Sequence, residues 1–420
     1  MRIPAHEATT AQLGAVYPLA ASRPLPTGGV LVGRDLLGGT FVHDPFELYA
    51  AGALTNPNML VFGQIGRGKS AFVKSYLFRQ AAFGRRIVVL DPKGEYGPLA
   101  HALGAPPIAL RPGGRLRLNP LDAASAERDD PGETSRRRLE MCAAVAASAL
   151  RRELSPLEHA GIELALGEIA SRRRDATIPD VVHALLEPAP AASRALGVPP
   201  AALRSGTLDL ALELRRLVEG ELRGMFDGPT SPGIALRGPV VVLDLSAVYH
   251  SPALGVLVTC AAAAVQGAVE SGGDSRTILV VDEAWAVLAN IGAARYLQAS
   301  WKLARARGLA NLAVLHRVSD LTAVGGAGSA VTRLAEGLVA DSETIVCYAQ
   351  PASELGAAAA VLGLSDEEAR VVGGLGRGVA LWKVGGRSFL VEHRLARAER
   401  ELVDTDARLV AGTVPRGGNE

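Results

Sequence analysis

Two short stretches carry residue types that could do chemistry on a phosphate. The first is Val61-Phe-Gly-Gln-Ile-Gly-Arg-Gly-Lys-Ser70, where Gly63, Gly68, Lys69 and Ser70 fit the pattern G-x-x-x-x-G-K-[ST]. Glycines there, Gly66 included, let the backbone turn tightly, so that the N–H groups running from Gly63 to Ala71 point at phosphate oxygens. Gln64, Ile65 and Arg67 fill the remaining loop positions. The positive end of the following helix adds to that field. Lys69 would neutralise the β and γ phosphates, and the Ser70 hydroxyl would ligate Mg²⁺. The expected ligands are therefore ATP and Mg²⁺.

The second stretch is Thr277-Ile-Leu-Val-Val-Asp-Glu283, an apolar run ending in two carboxylates. Asp282 would hold Mg²⁺ opposite Ser70. Glu283 would orient and deprotonate the attacking water, a step worth typically ~10²–10⁴-fold in rate. Many strands end in Asp-Glu, but one that follows a phosphate loop in a β/α chain is a specific signal. The glutamate favours hydrolysis over phosphoryl transfer to a small molecule. His316 ends the next apolar run and is a sensor candidate, with a structural histidine as the equal alternative. Arg305, Arg307 and Arg377 are arginine-finger candidates across a subunit boundary, each with a surface role as its alternative.

These residues need strands that end at one edge. Residues 59–62 read as a buried strand, and a helix from about Lys69 to Phe83 should stop at Gly84. Residues 87–90 form a continuous apolar strand, as parallel sheets require. It ends in Asp91-Pro-Lys-Gly-Glu-Tyr96, at the edge where open α/β sheets bind ligands. Further strands are expected at 240–245, 277–283, 311–316, 344–348, 379–382 and 388–391, with a buried helix at 251–269. Short apolar runs in the first 50 residues suggest a hairpin beside the nucleotide site.

Between about 122 and 235 no stretch reads as a strand. Ser155-Pro-Leu-Glu158 is a capping box, Thr177-Ile-Pro-Asp180 opens another helix, and 208–222 has helical spacing. The arginine clusters at 136–138 and 172–174 read as solvated helix faces, with nucleic-acid contact as the lesser alternative. The expected organisation is an N-terminal lead-in (1–50), a core in two parts (51–121 and 236–400) split by an all-α insertion (122–235), and a tail (401–420).

Bulk composition agrees: 48% hydrophobic and 21% charged residues suit a globular core, and a net charge of +1 gives no global basic field. The three cysteines are far apart and read as buried hydrophobes in a reducing compartment. No signal peptide opens the chain. The longest apolar run, 254–265, falls short of the roughly 20 residues of a membrane span. A cytoplasmic protein, docking on the inner face of a membrane, is expected.

Several stretches together resemble the assembly ATPases of conjugation and type IV secretion systems, within the superfamily of hexameric DNA pumps. They are 63–70, Asp91-Pro-Lys-Gly-Glu-Tyr96, Leu154-Ser-Pro-Leu-Glu158, Met225-Phe-Asp-Gly-Pro-Thr230, 240–245, Val281-Asp-Glu-Ala-Trp285 and Val318-Ser-Asp-Leu321. The resemblance spans roughly 25–400. It implies an α/β fold with a RecA-like P-loop core and mainly parallel sheet, a helical insertion, a homo-hexamer, and hydrolysis at subunit boundaries. It also puts Glu95, with Asp91, close to the nucleotide and implies membrane-embedded secretion-channel subunits as partners. Those ATPases carry Gln where His316 stands, and usually an N-terminal docking domain, whereas 62 residues precede Gly63 here. The expected activity is an ATPase motor for secretion. A DNA translocase is the alternative, and a nucleotide-dependent scaffold without turnover is a second.

Overall fold

The apolar runs become strands because a two-faced sheet can bury every side chain of a Val/Ile/Leu segment. The computed structural model describes residues 23–122, 131–172, 175–249, 251, 253–270, 276–288, 290–317 and 330–403. Its strands are β1 (Val30–Asp35), β2 (Thr40–His43), β3 (Met59–Phe62), β4 (Arg86–Asp91), β5 (Ile108–Ala109), β6 (Val240–Asp244), β7 (Thr277–Val281), β8 (Leu309–Leu315), β9 (Thr344–Tyr348), β10 (Val379–Val384) and β11 (Arg387–His393). They form one sheet in the order β2-β1-β11-β10-β9-β3-β8-β7-β4-β6-β5. From β9 to β5 every pairing is parallel. The four remaining strands extend the sheet antiparallel.

Every residue of β3, β4, β7, β8 and β9 is buried. Alternation divides them between two cores. Leu60, Phe62, Val88, Leu90, Leu279 and Val281 face one, and Met59, Val61, Ile87, Val89, Ile278 and Val280 the other. Helix α1 (Pro45–Ala50), α2 (Lys69–Ala82) and α3 (Gly97–Ala102) lie on the second face, where Phe72, Val73, Tyr76 and Leu77 of α2 are buried. Helix α2 ends at Ala82, and Gly84 beyond it has φ 76°.

Between β5 and β6 the described elements are all helices: α4 (Pro131–Leu150), α5 (Pro156–Arg172), α6 (Ile178–Leu186), α7 (Pro190–Leu196), α8 (Pro200–Gly206) and α9 (Leu208–Glu219). The Ser155 hydroxyl accepts from the Glu158 N–H at 3.2 Å while Glu158 accepts from the Ser155 N–H at 2.7 Å, and Thr177 and Asp180 form the same box. These helices do not stand apart. Met141, Cys142, Val145, Ile162, Leu210 and Leu214 share one continuous core with the first face of the sheet. So do α10 (Leu254–Glu270), α11 (Ala284–Leu288), α12 (Ile291–Leu303) and α13 (Ala330–Ala340), while α14 (Leu355–Leu362) and α15 (Asp366–Gly374) follow β9 and α16 (Arg400–Val403) closes the described chain.

Some expectations need correcting. Strand β7 stops at Val281, and β8 begins at Leu309, two residues early. The two-residue β5 was not foreseen. The β1–β2 hairpin forms, but it is not beside the phosphate loop. Because β1 pairs with β11, it lies four strands from β3 and packs on the flank of α2, where Arg79 donates to the Leu31 carbonyl. The Val318–Leu321 stretch, Arg173 and Arg174, and 404–420 lie outside the described residues. Residues 401–403, expected in the tail, are helical, with Leu402 buried. No helix among the described residues is long and apolar enough to cross a membrane.

Two histidines are locked into the α2 face. The His43 ring bonds Tyr76 at 2.9 Å, and His393 bonds Ser75 at 2.7 Å. Burial pulls His43 from 6.5 down to about 3, and burial with the nearby Arg79 charge pulls His393 to about 4. The unfolded chain takes up these protons near 6.5 and the folded one does not, so unfolding binds protons and stability falls as pH drops below 6.5. Each pH unit costs about 1.4 kcal/mol per histidine until the folded value is reached. Urea midpoints should be lower at pH 5 than at pH 7.5, and His43→Gln should shrink that difference.

Candidate nucleotide site

Parallel pairing brings the C-terminal ends of β3, β8, β7, β4 and β6 to one edge. Phe62 is level with Leu315, Val281 with Ala313 and Leu90, and Asp91 with Asp244. Two strand spacings, about 10 Å, separate the ends of β3 and β7.

The loop from Gly63 to Gly68 joins β3 to α2. Gly63 has φ 152°, and a Cβ there would lie 2.4 Å from Tyr348 Cβ, so only glycine fits beside β9. Gly68 has φ 109°, and a Cβ there would meet Gly378 Cα at 3.4 Å. Arg67 accepts from the Gly378 N–H at 2.9 Å, and Gln64 donates its N–H to the Ala349 carbonyl at 3.2 Å. The tip, Ile65, is 80% exposed. Gly68 caps α2 without a side-chain hydrogen bond, and the first-turn N–H groups of a helix suit an anion. Lys69 is buried, and its Nζ donates to the carbonyls of Gly63 and, at 3.1 Å, Gln64. Ser70 is half-buried at the same helix end.

At the end of β7 two adjacent carboxylates differ. Asp282 is buried, and burial with the neighbouring Glu283 charge pushes it up to about 6. Burial alone would also raise Glu283, but hydrogen bonds from His316 and Lys93, with Trp285 assisting, outweigh it and bring that carboxyl to about 2. His316 Nε2 is 2.7 Å and Lys93 Nζ 2.5 Å from Glu283 Oε1, while the Trp285 indole N–H donates to Oε2. Glu283 has φ 52°, a left-handed conformation rare for a residue with a side chain.

Asp91 is turned inward. Its carboxylate accepts from the N–H groups of Gly94 and Tyr96, each at 2.8 Å, and so shapes the loop after β4. Glu95 lies 3.7 Å from the Nζ of Lys74, which is fully buried on α2 and has no hydrogen-bond partner for that nitrogen. Burial lowers Lys74, against the opposing pull of Glu95, Asp282 and Asp91.

The arginines separate. Arg305 and Arg307 precede β8 at the other edge of the sheet, Arg305 exposed and Arg307 half-buried. Arg377 is exposed beside the phosphate loop of its own chain, because β10 runs antiparallel to β9 and begins at this edge. Sequence reasoning missed Lys93, Lys74, Trp285 and Tyr348 as site residues. Lys93 stood inside a stretch already singled out; for Lys74 the only signal was a lysine on the phosphate-loop helix.

The residues fit a magnesium nucleotide. The N-terminus of α2 offers N–H donors and a lysine, and Ser70 with Asp282 offers two hard oxygen donors. Among the described residues no cluster of three or more His, Cys, Asp or Glu side chains could hold a metal unaided.

Fold and edge together define an α/β P-loop NTPase-like protein with a helical insertion. The structure is similar to VirB4 of Thermoanaerobacter pseudethanolicus, with TM-score 0.73 and 21% identity over 90% of this chain and 99% of that one. It is also similar to the bacterial conjugative coupling protein TrwB, unbound (TM-score 0.54, 15% identity, 89% of each chain). For TrwB in complex with ADP and Mg²⁺ the figures are 0.54 and 16%, over 82% of this chain and 87% of that one. The family described as "Helicase HerA, central domain" matches residues 50–128. Among curated proteins none matches in sequence. The resemblance to conjugation and type IV secretion ATPases thus holds at the level of fold.

Gly63→Ala should cost about 1–3 kcal/mol of stability through backbone strain alone, with the Tyr348 clash added. A lowered denaturation midpoint together with lost nucleotide binding is the expected result.

Proposed function

We propose that the protein is a Mg²⁺-dependent ATP hydrolase that drives a conjugation or type IV secretion system, in assembly or in substrate transfer. The observation that carries this is the shared edge: Lys69 at the end of β3 and Glu283 at the end of β7, two strands away.

In this reading N–H groups of the 63–71 loop and helix end, those of Gln64 and Arg67 aside, and the Lys69 ammonium hold the phosphates. Ser70 and Asp282 would hold Mg²⁺, which would supply positive charge against the phosphate oxygens. Glu283 takes a proton from water as the water oxygen bonds to the γ-phosphorus and the bridging oxygen leaves with ADP. His316 bonds Glu283 at 2.7 Å and follows β8, the neighbour of β3, which suits a sensor. Six subunits in a ring would let Arg305 or Arg307, at the opposite edge, approach a neighbour's nucleotide. Arg377 suits a role toward its own. Secretion-channel subunits are the expected partners, at the cytoplasmic face of a membrane.

A DNA pump is the second reading, favoured by the likeness to a coupling protein and by the helicase-family match. Salt-sensitive stimulation of turnover by DNA would select it. For hydrolysis itself, Glu283→Gln should lower kcat by roughly 10²–10⁴-fold with nucleotide still bound, and Lys69→Ala should abolish binding. Turnover left unchanged by Glu283→Gln, while Lys69→Ala abolishes binding, would favour the nucleotide-dependent scaffold instead.

A further inference from the structure

The loop after β4 is stiff, yet it carries one flexible cation. Asp91 ties down the N–H groups of Gly94 and Tyr96. Gly94, at φ 71°, leaves so little room that a Cβ would come 3.1 Å from the Ser246 hydroxyl. Lys93 projects from this anchored turn past the end of β7. Its Nζ lies 2.5 Å from Glu283 Oε1, 3.4 Å from His316 Nε2, and 6.0 Å from the centre of the Tyr249 ring. His316 follows β8, the immediate neighbour of β3, so the ammonium stands one strand from the phosphate loop. Lys93 remains 25% exposed, whereas Glu283 is 3% exposed.

Glu283 is thereby fully engaged: one oxygen takes His316 and Lys93, the other takes the Trp285 indole. A carboxylate so held is badly prepared to receive a proton from water. The imidazole and indole sit on short, stiff side chains. Lys93 has a four-carbon stem and a compact charge that prefers the densest anion within reach.

We propose that Lys93 is a switch between Glu283 and the terminal phosphate of a bound nucleoside triphosphate. Without that phosphate it holds Glu283 in a resting position; with it, Lys93 crosses to the phosphate oxygens, Glu283 is released, and its contact with Trp285 changes. A diphosphate leaves the clamp closed. The inference rests on the nucleotide reading above and adds a residue that tells ATP from ADP.

Calorimetric titration of wild type, Lys93→Met and Lys93→Arg with Mg²⁺-ADP and with Mg²⁺-AMP-PNP tests it. Lys93→Met should weaken AMP-PNP about tenfold or more, the worth of one charged hydrogen bond, and leave ADP within about twofold. Lys93→Arg should recover part of the loss. Tryptophan emission should shift on adding AMP-PNP but not ADP, and the shift should vanish in Trp285→Phe and in Lys93→Met. Equal loss of both nucleotides in Lys93→Met, or AMP-PNP affinity and emission like wild type, overturns the proposal. Selective loss of AMP-PNP with no emission shift in wild type overturns the release of Glu283. A wild-type protein that binds neither nucleotide refutes the underlying reading as well. Wild-type binding with an indifferent Lys93→Met removes this inference alone.

Discussion

In-register parallel hydrogen bonding of seven neighbouring strands is the constraint on which the rest depends. Parallel strands all point one way, so the residues that follow them meet on one side whatever their separation in sequence. The phosphate loop, the Asp91–Tyr96 turn, Asp282 with Glu283, and His316 all follow such strands. The pairing persists because the central strands are dry on both faces, where an unmade backbone hydrogen bond is costly.

Within that frame the charges are arranged in opposition. Asp282 and Glu283 are consecutive and both buried, yet one is held high by burial and the other low by three donors. The first is short of a cation, the second surrounded by donors. A site with this polarity can accept a metal at one carboxylate while the other is restrained by protein groups. The left-handed backbone of Glu283 turns its side chain toward those donors and starts α11 at once, through the Ala286 N–H on the Glu283 carbonyl.

Much of this edge was legible because strand-ending residues announce themselves: an apolar run stops and a polar or glycine-rich stretch begins. Gly63, Lys69, Asp282, Glu283 and His316 could be placed in that way. The Lys93–Glu283 contact could not, because it requires β4 and β7 to be neighbours, and strand order leaves no local trace. Nor could the direction of β10, which sets Arg377 beside its own phosphate loop. The need for glycine at 63 follows from Tyr348, nearly three hundred residues away, and is visible only once β9 lies against β3. The helical stretch was legible as helices, since caps and periodicity are local. Its union with the core was not, because an amphipathic face does not say what it covers.

That union has a mechanical meaning. Cys142 and Val145 of α4 and Leu210 and Leu214 of α9 belong to the same buried core as Leu60, Val88 and Leu279 of the sheet, with α4 packed on α10 and α12 and α9 packed on α4. Removing the helical portion would therefore strip a layer from that shared core. A change of side chain in α4 or α9 is then felt, through shared packing, behind the strands themselves.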